Sequence, residues 1–187
     1  VLSDGQYAPI TPDGTVGIWA STTPLLTPRW YFGAAAYNGY LYVVGGPGLG
    51  GGPVEVAKIN ANGTLGTWTP TTPTGGGQRY YHSVVAYGGF LYAVGGSITG
   101  VDYSTDVLKA PIKGDGLLGS WTATTVLPEG RNRHVAMAYN GWLYVAGGLT
   151  PGESTGTASA VRAPINGDGT IGGWMPVTGL GAAVYGA

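Results

Sequence analysis

Residues 87–96 read YGGFLYAVGG, and nearly the same decapeptide stands at 37–46 (YNGYLYVVGG) and at 139–148 (YNGWLYVAGG). Each copy turns at Asn-Gly or Gly-Gly, runs through five apolar residues and closes on two glycines. Asn-Gly is the strongest short hairpin signal, because both central residues of the turn need positive φ. The closing glycines recur at intervals of 50 and 52 residues. A second pattern, A-x-I-x-x-x-G-x-x-G-x-W, occurs four times, over Ala8–Trp19, Ala57–Trp68, Ala110–Trp121 and Ala163–Trp174. A third, R-x-x-[FH], falls at Arg29/Phe32, Arg79/His82 and Arg131/His134. Three independent signals share one period near 50, which is the mark of a repeat architecture.

Within residues 80–122 one period reads as four short strands. YHSVVAY is apolar and β-prone and predicts a buried strand. Gly88-Gly89 turns the chain into FLYAVGG, the second strand. The loop SITGVDYST leads to DVLKAPI, the third, and the turn KGDG returns into LLGSW, the fourth. No stretch shows helical periodicity. A four-stranded antiparallel sheet of this size cannot cover both of its faces alone. Stacking such sheets about an axis solves that and leaves only short edges, so an all-β propeller is predicted. The glycine pairs would let backbones approach, and the Trp would fill the gap between neighbouring sheets.

The residue sets Tyr42/Gly45/Gly46/Trp68, Tyr92/Gly95/Gly96/Trp121 and Tyr144/Gly147/Gly148/Trp174 resemble the kelch repeat, over nearly the whole chain. The turn before Trp is extended, as in DGTVG, NGTLG and DGTIG, and looks like the prokaryotic kelch-type form rather than the cullin-adaptor form. The resemblance implies a β-propeller of four-stranded kelch-like blades, with about 3.5 to 4 blades in this chain. The divisions expected are a partial blade at 1–20, blades at about 30–70, 80–122 and 132–175, and a partial strand at 180–187, where GLGAAVYGA compares with GAAAYNG at 33–39. Kelch propellers usually close with six or seven blades. The chain is therefore expected to belong to a larger propeller or to complete one with other chains, by self-association or further blades.

Composition bounds the chemistry. Gly and Pro supply 50 of 187 residues, near the level of disordered chains, but 43% hydrophobic residues with 13 Tyr and 6 Trp can build a core. The net charge is −1, with 8 Lys+Arg and 9 Asp+Glu, so no basic stripe exists for nucleic acid or anionic lipid. No apolar run approaches the ~20 residues of a membrane helix. Zero Cys excludes disulfides and thiol chemistry and, with few charges and many Thr, Gly and Tyr, suits an extracellular or cell-surface protein. Val1 follows no charged leader, so a signal peptide is either absent or removed.

Catalytic patterns are weak. His82 and His134 share a repeat position with Phe32, which marks packing rather than metal ligation. Tyr80-Tyr81-His82 invites comparison with copper-radical oxidases on this kind of propeller, but their cofactor needs a Tyr–Cys crosslink. Asp13, Asp115 and Asp168 fall in the last turn of each repeat, where Asp caps its own backbone. No carboxylate pair is spaced for glycoside hydrolysis. PGLGGGP (47–53) lacks the Lys-Ser/Thr of a phosphate loop and reads as a flexible loop. Arg29, Arg79 and Arg131 start the first strands on the face of the long loops, nearest the axis. They are either a ligand-binding ring for a carboxylate or sugar acid, or a once-per-repeat structural device bonding carbonyls of an adjacent blade. Asn62 begins a formal N-glycosylation triplet, and STTPLLTP and TPTTPT suit O-linked sugar. No cofactor is implied. The expected function is a non-catalytic extracellular or surface module that presents loops to a protein or glycan, with self-assembly as one route. The competing expectation is the propeller portion of an enzyme acting on sugars or sugar acids at the channel mouth.

Overall fold

The computed structural model describes residues 3–46 and 53–186, so all of the predicted loop at 47–53 except Pro53 lies outside the described residues. All regular structure among them is β. Strands β1 (Gly5–Tyr7) and β2 (Ala20–Thr22) form an antiparallel pair. A first four-stranded sheet follows, from β3 (Gly33–Tyr37), β4 (Tyr40–Val44), β5 (Val54–Lys58) and β6 (Thr69–Thr71). After the short β7 (Arg79–Tyr80), β8 (Ser83–Tyr87) and β9 (Phe90–Val94) begin the second sheet. The chain then forms β10 (Ser97–Ile98), which pairs with β7, and completes the sheet with β11 (Val107–Pro111) and β12 (Thr122–Ala123). The third sheet is β13 (Val135–Tyr139), β14 (Trp142–Ala146), β15 (Ala160–Pro164) and β16 (Met175–Val177). Each four-stranded sheet is an antiparallel meander in chain order.

The first hairpin of every sheet turns as its sequence requires. Asn38 and Gly39 have φ of 49° and 81°, Gly88 and Gly89 of 59° and 84°, and Asn140 and Gly141 of 48° and 79°. The last strand departs from expectation. LLGSW is not a strand: Leu118 makes one isolated bridge to Ile112, and pairing resumes only at Thr122. The cause is the glycine before each Trp. The N–H of Gly119 donates to the carbonyl of Pro111 at 2.8 Å, folding the chain across the end of β11, and a Cβ there would lie 2.7 Å from the Pro111 ring. Gly17, Gly66 and Gly172 donate in the same way to Pro9, Lys58 and Pro164. Trp therefore precedes the last strand and reaches toward the preceding repeat. Trp68, Trp121 and Trp174 donate from Nε1 to the carbonyls of Thr23, Thr72 and Thr125 at 3.0, 2.8 and 3.3 Å.

The sheets stack face to face, with their first strands β3, β8 and β13 side by side. Tyr42, Val44, Val54 and Val56 of the first sheet bury against Leu91, Ala93, Ala110 and Leu118 of the second. The opposite face of the second, through Val85, Tyr92, Val94 and Val107, buries against Leu143, Val145, Val161 and Ala163 of the third. Successive residues of a strand point to opposite faces, so β9, covered on both sides, buries four consecutive residues.

The paired glycines fit two neighbours at once. A Cβ on Gly45 would sit 2.4 Å from the Arg79 carbonyl and 2.8 Å from Cε1 of His82, both in the next repeat. A Cβ on Gly46 would sit 2.7 Å from the Trp30 carbonyl in its own repeat. Gly46, Gly96 and Gly148 donate their N–H groups to the carbonyls of Arg79, Arg131 and Val184 at 2.7, 2.8 and 2.8 Å. Val184 thus takes the place of the repeat's arginine. This corrects the comparison of GLGAAVYGA with GAAAYNG: the segment is the approach to a first strand, because the carbonyl that the glycine pair demands belongs to Val184.

Candidate functional site

The three arginines predicted as a ligand ring are 4%, 2% and 1% exposed for Arg29, Arg79 and Arg131. Each Nη1 donates to the carbonyl of the first paired glycine of its own repeat: Gly45 at 3.1 Å, Gly95 at 2.6 Å and Gly147 at 3.0 Å. Arg29 also pairs with buried Glu55, and Arg79 with Asp106 at 3.0 Å. At the equivalent place the third repeat carries Ser159, whose Oγ accepts from Arg131 at 3.2 Å, while the exposed Glu129 lies 3.9 Å away. Burial lowers the pKa of all three, opposed by those carboxylates. Buried this deeply, the guanidinium groups clamp the end of the second strand and do not form a ligand ring. The carbonyls are those of the same sheet, not of a neighbouring one.

His82 and His134 wedge between sheets, each with its Cβ over the second glycine of its own pair and its Cε1 over the first glycine of the preceding pair. Neither imidazole nitrogen of either residue has a hydrogen bond of normal geometry. Burial, with Arg79 beside His82 and Arg131 beside His134, pushes both down to about 3, so both are neutral at physiological pH.

The position two residues after the arginine, of which the sequence singled out only Tyr81, holds unusual backbone among the described residues. Tyr31, Tyr81 and Arg133 have φ of 53°, 55° and 54° outside any hairpin turn. Their main chains form a hydrogen-bonded path from repeat to repeat: Tyr81 N–H to Tyr31 carbonyl at 3.0 Å, Arg133 to Tyr81 at 2.8 Å and Gly186 to Arg133 at 2.9 Å. Their side chains gather. The rings of Tyr31 and Tyr81 lie 4.1 Å apart, and the Arg133 guanidinium lies 4.3 Å from the Tyr81 ring centre. Hydrogen bonding with Tyr81 is the main cause that raises the Tyr31 phenol above its ordinary pKa. Together with Phe32, His82 and His134 these side chains line a cavity of about 150 Å³. The available signal was a large side chain at a fixed repeat position beside R-x-x-[FH].

A second cleft, of about 170 Å³, lies between the β1–β2 pair and the first sheet and is lined by Leu25, Leu41, Val43 and Trp68 among others. It is apolar and brings no reactive group together. Asn62 is exposed, and its Oδ1 accepts from the N–H and hydroxyl of Thr64 at 3.1 and 2.7 Å. Asp13, Asp115 and Asp168 make the same turn-closing bond to the backbone N–H of Thr15, Leu117 and Thr170. Among the described residues no group of three or more His, Asp or Glu is placed to hold a metal ion. No helix among them is long and apolar enough to cross a membrane.

No family model matches the chain, and no curated protein matches it. The chain is similar to a solved structure titled "Structure of YjhT", with a TM-score of 0.66 and 17% identity, over 84% of this chain and 48% of that one. The chain thus spans about half the length of that protein. At this identity the likeness shows fold alone: an all-β stack of antiparallel four-stranded sheets, consistent with a β-propeller-like architecture.

Proposed function

We propose that the chain is an arc of a kelch-type β-propeller. It works as a non-catalytic structural and binding module at the cell surface or outside the cell. Its long loops meet a protein or glycan, and its sheets join further sheets of the same kind by self-association.

One observation carries the reading. The outward face of the third sheet holds the residues that are covered in the sheets before it, and here they are uncovered: Val135, Met137 and Tyr139 are 65%, 55% and 68% exposed. Its counterpart stands at the other end of the stack. The turn glycines Gly116 and Gly169 accept bonds from the hydroxyls of Tyr42 and Tyr92 at 2.9 Å through their carbonyls, but Gly14 has nothing within 4 Å of a built Cβ. Trp19, Ile10 and Ile18 beside it are exposed. The two surfaces are the halves of the joint that recurs inside the chain, and contiguous exposed apolar surface of this kind marks an interaction site. A head-to-tail joint made from unlike surfaces builds rings or filaments.

Light scattering of the native particle beside the mass of the denatured chain tests it. A native mass that is a multiple of the chain's, falling to one chain in Met137→Lys, is expected. A wild-type chain that stays monomeric at high concentration overturns the self-association reading.

A further inference from the structure

Positive φ strains Tyr31, Tyr81 and Arg133, because a Cβ crowds its own backbone in that region. The fourth member of the same main-chain path is Gly186, whose φ is not positive, so the strain is confined to Tyr31, Tyr81 and Arg133. Three large polar side chains stand at the strained places, and all three line one cavity.

The cavity is cationic. Arg133 forms no ion pair among the described residues, unlike Arg29, Arg79 and Arg131. Among the described residues no hydrogen bond holds its guanidinium either, and the stack on Tyr81 uses only the face of that group, leaving the N–H donors along its edge available. Arg162 stacks on Trp142 at the same 4.3 Å, so stacking alone marks nothing. What sets Arg133 apart is the strained backbone, the hydroxyls of Tyr31 and Tyr81 beside it, and the open cleft in front. The neighbouring imidazoles of His82 and His134 are neutral and leave Arg133 as the one charged group of the lining.

A planar guanidinium edge with hydroxyl donors matches a planar anion with two equivalent oxygens. The volume lies below the ~300 Å³ at which drug-sized ligand sites begin. We infer that this cavity is a binding site for a small carboxylate, held by the guanidinium edge of Arg133 with the free hydroxyl donor of the Tyr31–Tyr81 pair beside it.

The test is an NMR titration of the full chain with acetate and propionate, with acetamide as the uncharged isostere. Saturable shifts are expected with the two carboxylates and none with acetamide. Arg133→Gln should weaken binding by about tenfold or more, as expected for loss of a charge-assisted pair. Arg133→Lys, which keeps the charge and loses the fork, should fall between and serves should the Gln variant fail to fold. Absence of saturation, wild-type affinity in the folded variants, or equal competition by chloride and acetate would each overturn the assignment. Binding is read in whatever state of association the chain adopts, so failure here leaves the assembly reading intact.

Discussion

The second and third repeats carry almost the same sequence in different surroundings. In β9 the residues after Phe90 are buried without interruption, whereas in β14 burial alternates, Leu143 and Val145 in, Tyr144 and Ala146 half out. Tyr92 reaches the Gly169 carbonyl of the following sheet, and its burial pushes the phenol up to about 12. Tyr144 stands at the matching place with no following sheet against it. The charges differ too: Arg79 has Asp106, while Arg131 has the hydroxyl of Ser159. The repeat motif therefore specifies a joint, and the neighbour decides whether the joint is made.

The largest expected contrast is truncation at the shared tyrosine. Tyr92→Ala should lose about 3–5 kcal/mol, as for a buried aromatic, and Tyr144→Ala about 1 kcal/mol or less in the unassociated chain. Urea unfolding of both variants measures it, and equal losses would break the comparison.

Acid should expose the next difference. In the unfolded chain His82 and His134 titrate near 6.5, and in the fold only near 3. Between those values the unfolded state binds more protons. Stability is then complete above about pH 6.5 and declines as pH falls toward 3, by on the order of a few kcal/mol per imidazole. The first repeat already uses Phe32 at this position, so His82→Phe with His134→Phe should fold and flatten the acid limb. A melting temperature that drops with pH as steeply as in the wild type would refute that origin.

The arginine clamps come next. Glu55→Gln leaves Arg29 buried without its counter-ion and should cost about 3 kcal/mol. Asp106→Asn should cost about 1 kcal/mol, because that carboxylate is 42% exposed and partly screened. Ser159→Asp should run the other way, gaining about 1 kcal/mol by giving Arg131 a charged acceptor. Of similar size, Tyr92→Phe should lose about 1 kcal/mol for one buried hydrogen bond. Thermal denaturation of this series orders them, and a destabilising Ser159→Asp would show that the third clamp works without charge.

Much of this fold was legible because it is periodic. Paired glycines, Asn-Gly turns and the spaced Trp each answer to a local geometric demand, and the demand recurs every 50 residues or so. The last strand was misplaced because LLGSW has strand-like composition, while the hydrogen bond from Gly119 to Pro111 that turns it aside joins residues eight apart. The arginines were visible as a set, but a guanidinium facing a channel and one facing its own sheet have the same sequence signature. Tyr31 and Arg133 went unread, and Tyr81 was read only within Tyr80-Tyr81-His82, for a different reason. Positive φ in a non-glycine residue is imposed by the path between sheets, and no local propensity announces it.

The paired glycines carry a consequence for inheritance. Gly45 keeps clear a space that Arg79 and His82 occupy, Gly95 does so for Arg131 and His134, and Gly147 for Val184. Each repeat thus holds a mould of its successor. A duplicated repeat would arrive already fitted to the one ahead of it, which lets such an array lengthen by copying. The same arrangement displaces injury: an alanine at Gly95 would leave its own hairpin pairing intact and loosen the sheet that follows.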